Sequence, residues 1–262
     1  MERDPNEREA DPRRDPAWDH GDEPPPAYRD SAPDLRAPID DSSPVSGHTP
    51  PPEATSSPID SPEHDWTRAK VLVRPAFRPV GTTGLSIEEA DRETLSSHAM
   101  TSHSQPLIDD GPGGLPVVYT IAGSGFDIVV NGDHLLSWGI EPTDLQDAAV
   151  ENLEAWAATA PWTEEVSGDR RLISSDTGDG LDAARILLPQ TIDYLAKELG
   201  GDGRILVGLP ERHLLAAATL RPDDPGFAEL FAEFVLEQSG GADEPIDRRL
   251  FEIVDGRLVE FA

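Results

Sequence analysis

Cysteine is absent from the 262-residue chain, which excludes disulfides, thiolate zinc sites and thiol nucleophiles together. Lysine is nearly absent, because only Lys70 and Lys197 occur and every other basic residue is an arginine. Long hydrophobic runs are missing as well. The longest nearly apolar run, residues 214–220, falls far short of the ~20 residues that cross a bilayer, so we expect no membrane span.

Positive charge is scarce throughout the chain. Twenty-one basic residues stand against 51 acidic ones, a net charge of −30, and residues 67–262 alone hold 34 acidic and 15 basic side chains. Such a field repels phosphate backbones and anionic lipids, so we expect neither a nucleic-acid nor a membrane partner. The first eight residues are charged and contain no apolar core typical of a secretory signal, and we therefore expect a cytoplasmic protein.

Large apolar residues are few in the first quarter of the chain, where 14 of the 26 prolines lie within residues 1–66. A segment with so little apolar surface cannot offset a backbone ordering cost of roughly 1–2 kcal/mol per residue. The composition predicts a disordered tail over residues 1–66, followed by a single domain over residues 67–262.

Three hairpins are predicted in that domain, each from two β-rich runs joined by a short turn. They pair residues 117–121 with 126–130, 204–209 with 213–220, and 250–254 with 257–261, the last through Asp255-Gly256. Hairpins separated by helices indicate an α+β fold. We expect an antiparallel or mixed sheet with helices packed mainly on one face.

Three helices are predicted from apolar residues at helical spacing. The first runs from Thr143 to about residue 158, and the second from about residue 181 to 199 with a kink or break at Pro189. The third follows Asp224 and Pro225. Its apolar stripe is expected to be core and comprises Phe227, Leu230, Phe231, Phe234 and Val235.

Three segments carry a resemblance to a known family: WGIEPTDLQDAAVENL at 138–153, GDGLDAARILLP at 178–189 and VGLPERHLL at 207–215. Together they resemble the YtpQ-like bacterial family, a domain-of-unknown-function group, over roughly residues 106–260. The resemblance implies a soluble cytoplasmic α+β protein with no established activity. One departure is His213, which stands where the family often has an aspartate.

A search for catalytic motifs yields no catalytic, metal or cofactor site. No Gly-x-Ser-x-Gly elbow occurs, and Ser124 lies in a predicted hairpin turn. His98 and His103 lack further ligands nearby in sequence. A calcium loop starting at Asp176 fails because Leu187 stands where the bidentate glutamate belongs.

Two hypotheses for the function follow. The first is a non-catalytic cytoplasmic interaction or regulatory protein that engages an unknown protein partner. The alternative is a small anionic-ligand-binding protein or an unrecognised enzyme that uses segments 176–185 and 210–213. Its candidate ligand-binding residues are Asp176, Asp179, Arg185, Glu211 and Arg212.

Within that alternative, Arg185 and Arg212 are predicted to converge on one anion, since guanidinium forks suit carboxylates and phosphates. A purely structural interpretation competes with it. Asp179 and Asp182 would then complement a helix dipole, and Arg185 would pair with one of them.

Overall fold

The computed structural model of the chain describes residues 61–98, 102–123 and 126–262. Within this part of the chain, eleven strands form two sheets, and six α-helices accompany them. The predicted α+β fold is confirmed. Residues 1–60 of the predicted tail lie outside the described residues, as does Ser124.

The first sheet has five strands: β1 (Val73–Phe77), β2 (Leu85–Ser86), β3 (Leu107–Asp110), β4 (Pro116–Ala122) and β5 (Asp127–Val129). Their order is β1-β4-β3-β2, with β5 also paired to β4. Only β2 and β3 pair parallel, so this sheet is mixed. The antiparallel pairing of β4 with β5 confirms the first predicted hairpin.

Four helices belong to the region of the first sheet: α1 (Trp66–Ala69), α2 (Arg92–Ser97), α3 (Gly132–Trp138) and α4 (Pro142–Ala157). Helix α4 contacts β1 and buries Leu145, Ala148 and Ala149 in the core of this sheet. These residues recur at intervals of three and four, so they form one face of the helix.

Trp66 was assigned to the tail by its isolation in the sequence, but it packs against the core of the first sheet. Its ring lies 5.3 Å from that of Trp138, centroid to centroid. The indole Nε1 of Trp138 also donates a hydrogen bond to the carbonyl of Glu63, at 2.7 Å. Residues 63–66 are therefore held to the first sheet, just upstream of the predicted boundary.

The second sheet has six strands: β6 (Thr163–Ser167), β7 (Arg170–Ser175), β8 (Arg204–Glu211), β9 (Leu214–Leu220), β10 (Leu250–Val254) and β11 (Arg257–Glu260). Their order is β11-β10-β8-β9-β7-β6, and every pair is antiparallel. The pairs β8–β9 and β10–β11 confirm the other two predicted hairpins. Asp255 and Gly256 both have positive φ, as a two-residue turn requires.

Helices cover both faces of the second sheet. Along β8, Ile205 and Val207 join the apolar cluster that contains Leu195 of α5 (Pro189–Leu199), whereas Leu206 joins that of α6 (Phe227–Gly241). The physical reason is the continuous apolar composition of β8 and β9, which is typical of strands buried on both sides. The expected packing of helices mainly on one face is therefore wrong for the second sheet, which is covered on both faces.

The predicted break at Pro189 is confirmed. A short 3-10 segment, Ala183–Leu187, precedes it, and α5 begins at Pro189 itself. Proline suits this first helical position because its missing N–H would have had no partner there. The break allows the loop before the 3-10 segment to pack in a different direction from α5.

Candidate functional site

The loop between β7 and the 3-10 segment is closed by a buried carboxylate, Asp182. This side chain is fully buried and accepts hydrogen bonds from the Ser175 hydroxyl at 2.7 Å and from both the backbone N–H and the hydroxyl of Thr177 at 3.0 Å. Three donors satisfy the buried charge, as burial demands. Asp182 thus fixes the shape of the loop.

Arg185 is buried against the end of α4. Its two terminal nitrogens donate to the carbonyls of Ala157, Ala160 and Pro161 at 2.9–3.2 Å, and to the Ser175 hydroxyl at 3.1 Å. Its guanidinium also lies 3.8 Å from the ring centroid of Trp162. Burial lowers the pKa of Arg185 below its ordinary value, while the charge of Asp182 acts in the opposite direction.

These contacts give Arg185 a structural role, but the predicted pairing with Asp179 or Asp182 is wrong. The guanidinium caps free carbonyls after the last turn of α4, a position that favours cations. It does not pair directly with Asp182; instead the Ser175 hydroxyl lies between the two charges, donating to one and accepting from the other.

The two exposed acids of the predicted site make no hydrogen bond to Arg185. Asp179 accepts a hydrogen bond from the indole Nε1 of Trp156, at 3.0 Å, so it helps to hold the loop against α4. Asp176 is exposed at the start of the loop.

Arg212 lies in the turn between β8 and β9 and is paired with two carboxylates. It bonds Asp127 at 2.8 Å and Glu244 at 2.7 Å. Burial alone lowers the pKa of Arg212, but the hydrogen bonds to Glu244 and Asp127 outweigh it, so the pKa lies above its ordinary value. The two carboxylates thus occupy the fork that an anionic ligand would need.

Gly180 lies at the contact between segments 178–189 and 207–215. It has a φ of +74°, and a Cβ there would lie 2.5 Å from Nε of Arg212. The guanidinium of Arg212 therefore rests directly on the glycine. Ala183 also donates its N–H to the carbonyl of Arg212, at 3.2 Å. Segments 178–189 and 207–215 form one interlocked unit.

Arg185 and Arg212 have no common hydrogen-bond partner among the described residues. Arg185 lines a small cleft of about 220 Å³ beside Trp162 and Tyr194. Arg212 and Glu211 line a different cleft of about 1220 Å³. The structure thus brings Glu211 and Arg212 together and separates them from Arg185.

The larger cleft, which we call the acidic cleft, lies between the β8–β9 turn, the end of α6 and the start of β5. Its charged lining comprises the acids Asp127, Glu211, Glu237, Asp243 and Glu244 and the bases Arg78 and Arg212. Five carboxylates against two guanidinium groups leave an excess of negative charge. Two of the five carboxylates, Asp127 and Glu244, are paired with Arg212.

No protein-family model, no curated protein and no solved structure matches the chain. Its resemblance to the YtpQ-like family stays a prediction.

An aromatic side chain adds apolar surface to the acidic cleft. Phe126 lines the same cleft with 66% of its surface exposed. The cleft therefore combines negative charge with an accessible aromatic ring.

Most of the acidic residues in this cleft were not predicted as site residues, because they come from distant parts of the chain. Asp127 opens β5, whereas Glu237, Asp243 and Glu244 lie in or just after the last turns of α6. One signal was present: the C-terminal end of a helix favours cations, yet no basic residue occupies the last turn of α6. The acids on either side of that turn therefore lack the basic neighbours that usually accompany a helix C-terminus.

Other kinds of site find no support in the described part of the chain. Within residues 61–98, 102–123 and 126–262, no three His, Asp or Glu side chains are grouped so that they could hold a metal ion. No helix in the same residues is long and apolar enough to cross a membrane.

Proposed function

We propose that the protein is a non-catalytic, cytoplasmic interaction protein whose acidic cleft binds a cationic segment of another protein. The observation that carries the proposal is the charge of the cleft: five carboxylates and two guanidinium groups line it, and one of those guanidinium groups is paired with two of the carboxylates. Complementary charge steers association and selects partners.

The shape and composition of the cleft support a peptide-like ligand. At about 1220 Å³ the cleft exceeds the ~300–1,000 Å³ of ordinary small-molecule pockets, which are also mainly apolar. Its described lining is dominated by carboxylates, which bind basic side chains directly.

The alternative, an anionic-ligand site or enzyme built on segments 176–185 and 210–213, is less well supported. An anion at Arg212 must displace Asp127 or Glu244, and an anion at Arg185 must displace backbone carbonyls. Displacing Asp127 or the carbonyls leaves a partly buried polar group without its partner, which is costly; Glu244 is more exposed and is the easier of the two carboxylates to displace.

Peptide binding tests the proposal. An arginine-rich peptide of about eight residues and its glutamate-rich counterpart, both fluorescently labelled, are titrated with the full chain, and anisotropy is recorded. The basic peptide is expected to bind in the micromolar range and the acidic one not at all. Raised salt should weaken binding through screening.

Charge reversal locates the site. Glu237→Lys with Asp243→Lys should weaken the basic peptide at least about tenfold, a loss of roughly 1.4 kcal/mol. Glu229→Lys with Glu233→Lys is the matched control, since both are exposed acids of α6 outside the cleft and the change in net charge is the same. Equal weakening by both pairs, or binding of inorganic phosphate in place of the basic peptide, contradicts the proposal.

A further inference from the structure

An apolar groove adjoins the acidic cleft. It has a volume of about 570 Å³ and lies between α1 with its following turn and the end of β4. Its lining comprises the apolar residues Pro62, Val71, Leu72 and Ala122, together with Gly123, Thr67 and the basic Arg68. Val71 is 65% exposed beside this groove.

The groove and the cleft are continuous at one residue, Gly123, which lines both. Gly123 donates its N–H to the carbonyl of Phe126 at 3.0 Å, and a Cβ at Gly123 would lie 2.6 Å from that oxygen. Phe126, whose ring is exposed, lines the cleft beside this residue. A single extended segment can reach both the cleft and the groove.

We infer that the bound cationic segment also carries an apolar side chain next to its basic residues, and that this side chain occupies the groove at Val71. This inference rests on the proposed function. The charge of the acidic cleft decides which occupant fits; the groove itself carries the basic Arg68, so the basic side chains of the segment lie in the cleft and only its apolar side chain enters the groove. A second copy of this chain would bring a net charge of −30 toward an acidic cleft, and an anionic lipid surface is repelled by the same carboxylates.

The cleft and the groove contribute different interactions to binding. The carboxylates of the cleft attract the basic side chains and set their position, while the groove and Phe126 remove apolar surface from water. Because the apolar contact is not screened by salt, it distinguishes this partner from any other basic protein that an acidic surface attracts.

Two peptides of equal charge test the inference. Both contain the same arginines, and one carries leucine where the other carries serine next to them. The leucine peptide is expected to bind the full chain about tenfold more tightly. Val71→Ser should abolish this preference, whereas Val166→Ser, which alters an equally exposed valine on β6, should preserve it.

The outcomes separate the two proposals. If the peptides bind equally to the unaltered chain and both weaken with Glu237→Lys and Asp243→Lys, the apolar inference is overturned and the acidic-cleft function stands. If neither peptide binds, both fall. Loss of the leucine preference in Val166→Ser as well as Val71→Ser also overturns the role of the groove.

Discussion

Replacing Arg185 with alanine is expected to destabilise the fold by about 4 kcal/mol. The side chain is only 4% exposed and donates four hydrogen bonds, three of them to backbone carbonyls at the end of α4. Each such bond contributes about 1 kcal/mol net, and the stacking on Trp162 adds roughly 0.5–2 kcal/mol. Hydration of the carbonyls freed near the surface offsets part of this loss.

The size of that effect is large against the roughly 5–15 kcal/mol that stabilises a typical domain. Arg185→Lys keeps the charge but not the planar fork, so one ammonium group cannot reach all four acceptors, and we expect a loss of about 2–3 kcal/mol. Arg257→Ala removes an exposed arginine of β11 and serves as the control, with a change within about 0.5 kcal/mol.

Urea unfolding followed by tryptophan fluorescence measures these changes, because Trp156 and Trp162 both adjoin Arg185. The midpoint should fall while the slope stays constant, which identifies a change of stability in the native state. If Arg185→Ala costs less than about 1 kcal/mol, the structural role of Arg185 is refuted. A ligand-binding role for Arg185 would then be the better interpretation.

Three further outcomes are expected. Gly180→Ala should cost about 1–2 kcal/mol more than Gly178→Ala by thermal unfolding, because both have positive φ but only Gly180 lies under a guanidinium; equal losses would exclude that contact. Deleting residues 1–60 should leave the melting temperature nearly unchanged. Deleting residues 1–66 also removes the Trp66–Trp138 contact and should lower the stability by about 1–2 kcal/mol. A large loss of stability from the shorter deletion would refute this prediction. Raising ionic strength from low values should raise the melting temperature, since screening weakens repulsion among an excess of acids, and a curve that does not move with salt contradicts this.

The hairpins and the break at Pro189 could be predicted because local chemistry determines them. The Asp255-Gly256 dipeptide selects a two-residue turn. Proline lacks the N–H that a helix interior requires, so the helix breaks at Pro189. The apolar stripe of α6 was predicted only in part. Phe231 and Val235 are buried, but Leu230 is 49% exposed, so its prediction as a core residue was wrong. The helix rests on the sheet along a narrower face than the spacing indicated.

The candidate site could not be predicted because it depends on tertiary contacts. The sequence indicated that Glu211 and Arg212 lie in a turn, but not that Asp127 and Glu244, from β5 and the segment after α6, would pair with Arg212. The same limit applies to Arg185, since its carbonyl partners follow α4, about 25 residues upstream. A guanidinium group in a sequence offers the same fork to a ligand, a carboxylate or a helix end.

The most direct test of the account is to map where a basic peptide binds, because an acidic protein attracts basic peptides at many places on its surface. An arginine-rich peptide with a photoreactive group next to a leucine is cross-linked to the full chain, and the adducts are located by mass spectrometry. Adducts are expected at the acidic cleft, around residues 211–213 and 237–244, and at the adjoining groove near Val71. Adducts concentrated instead on the exposed acids of β6, Glu164 and Glu165, would contradict that expectation.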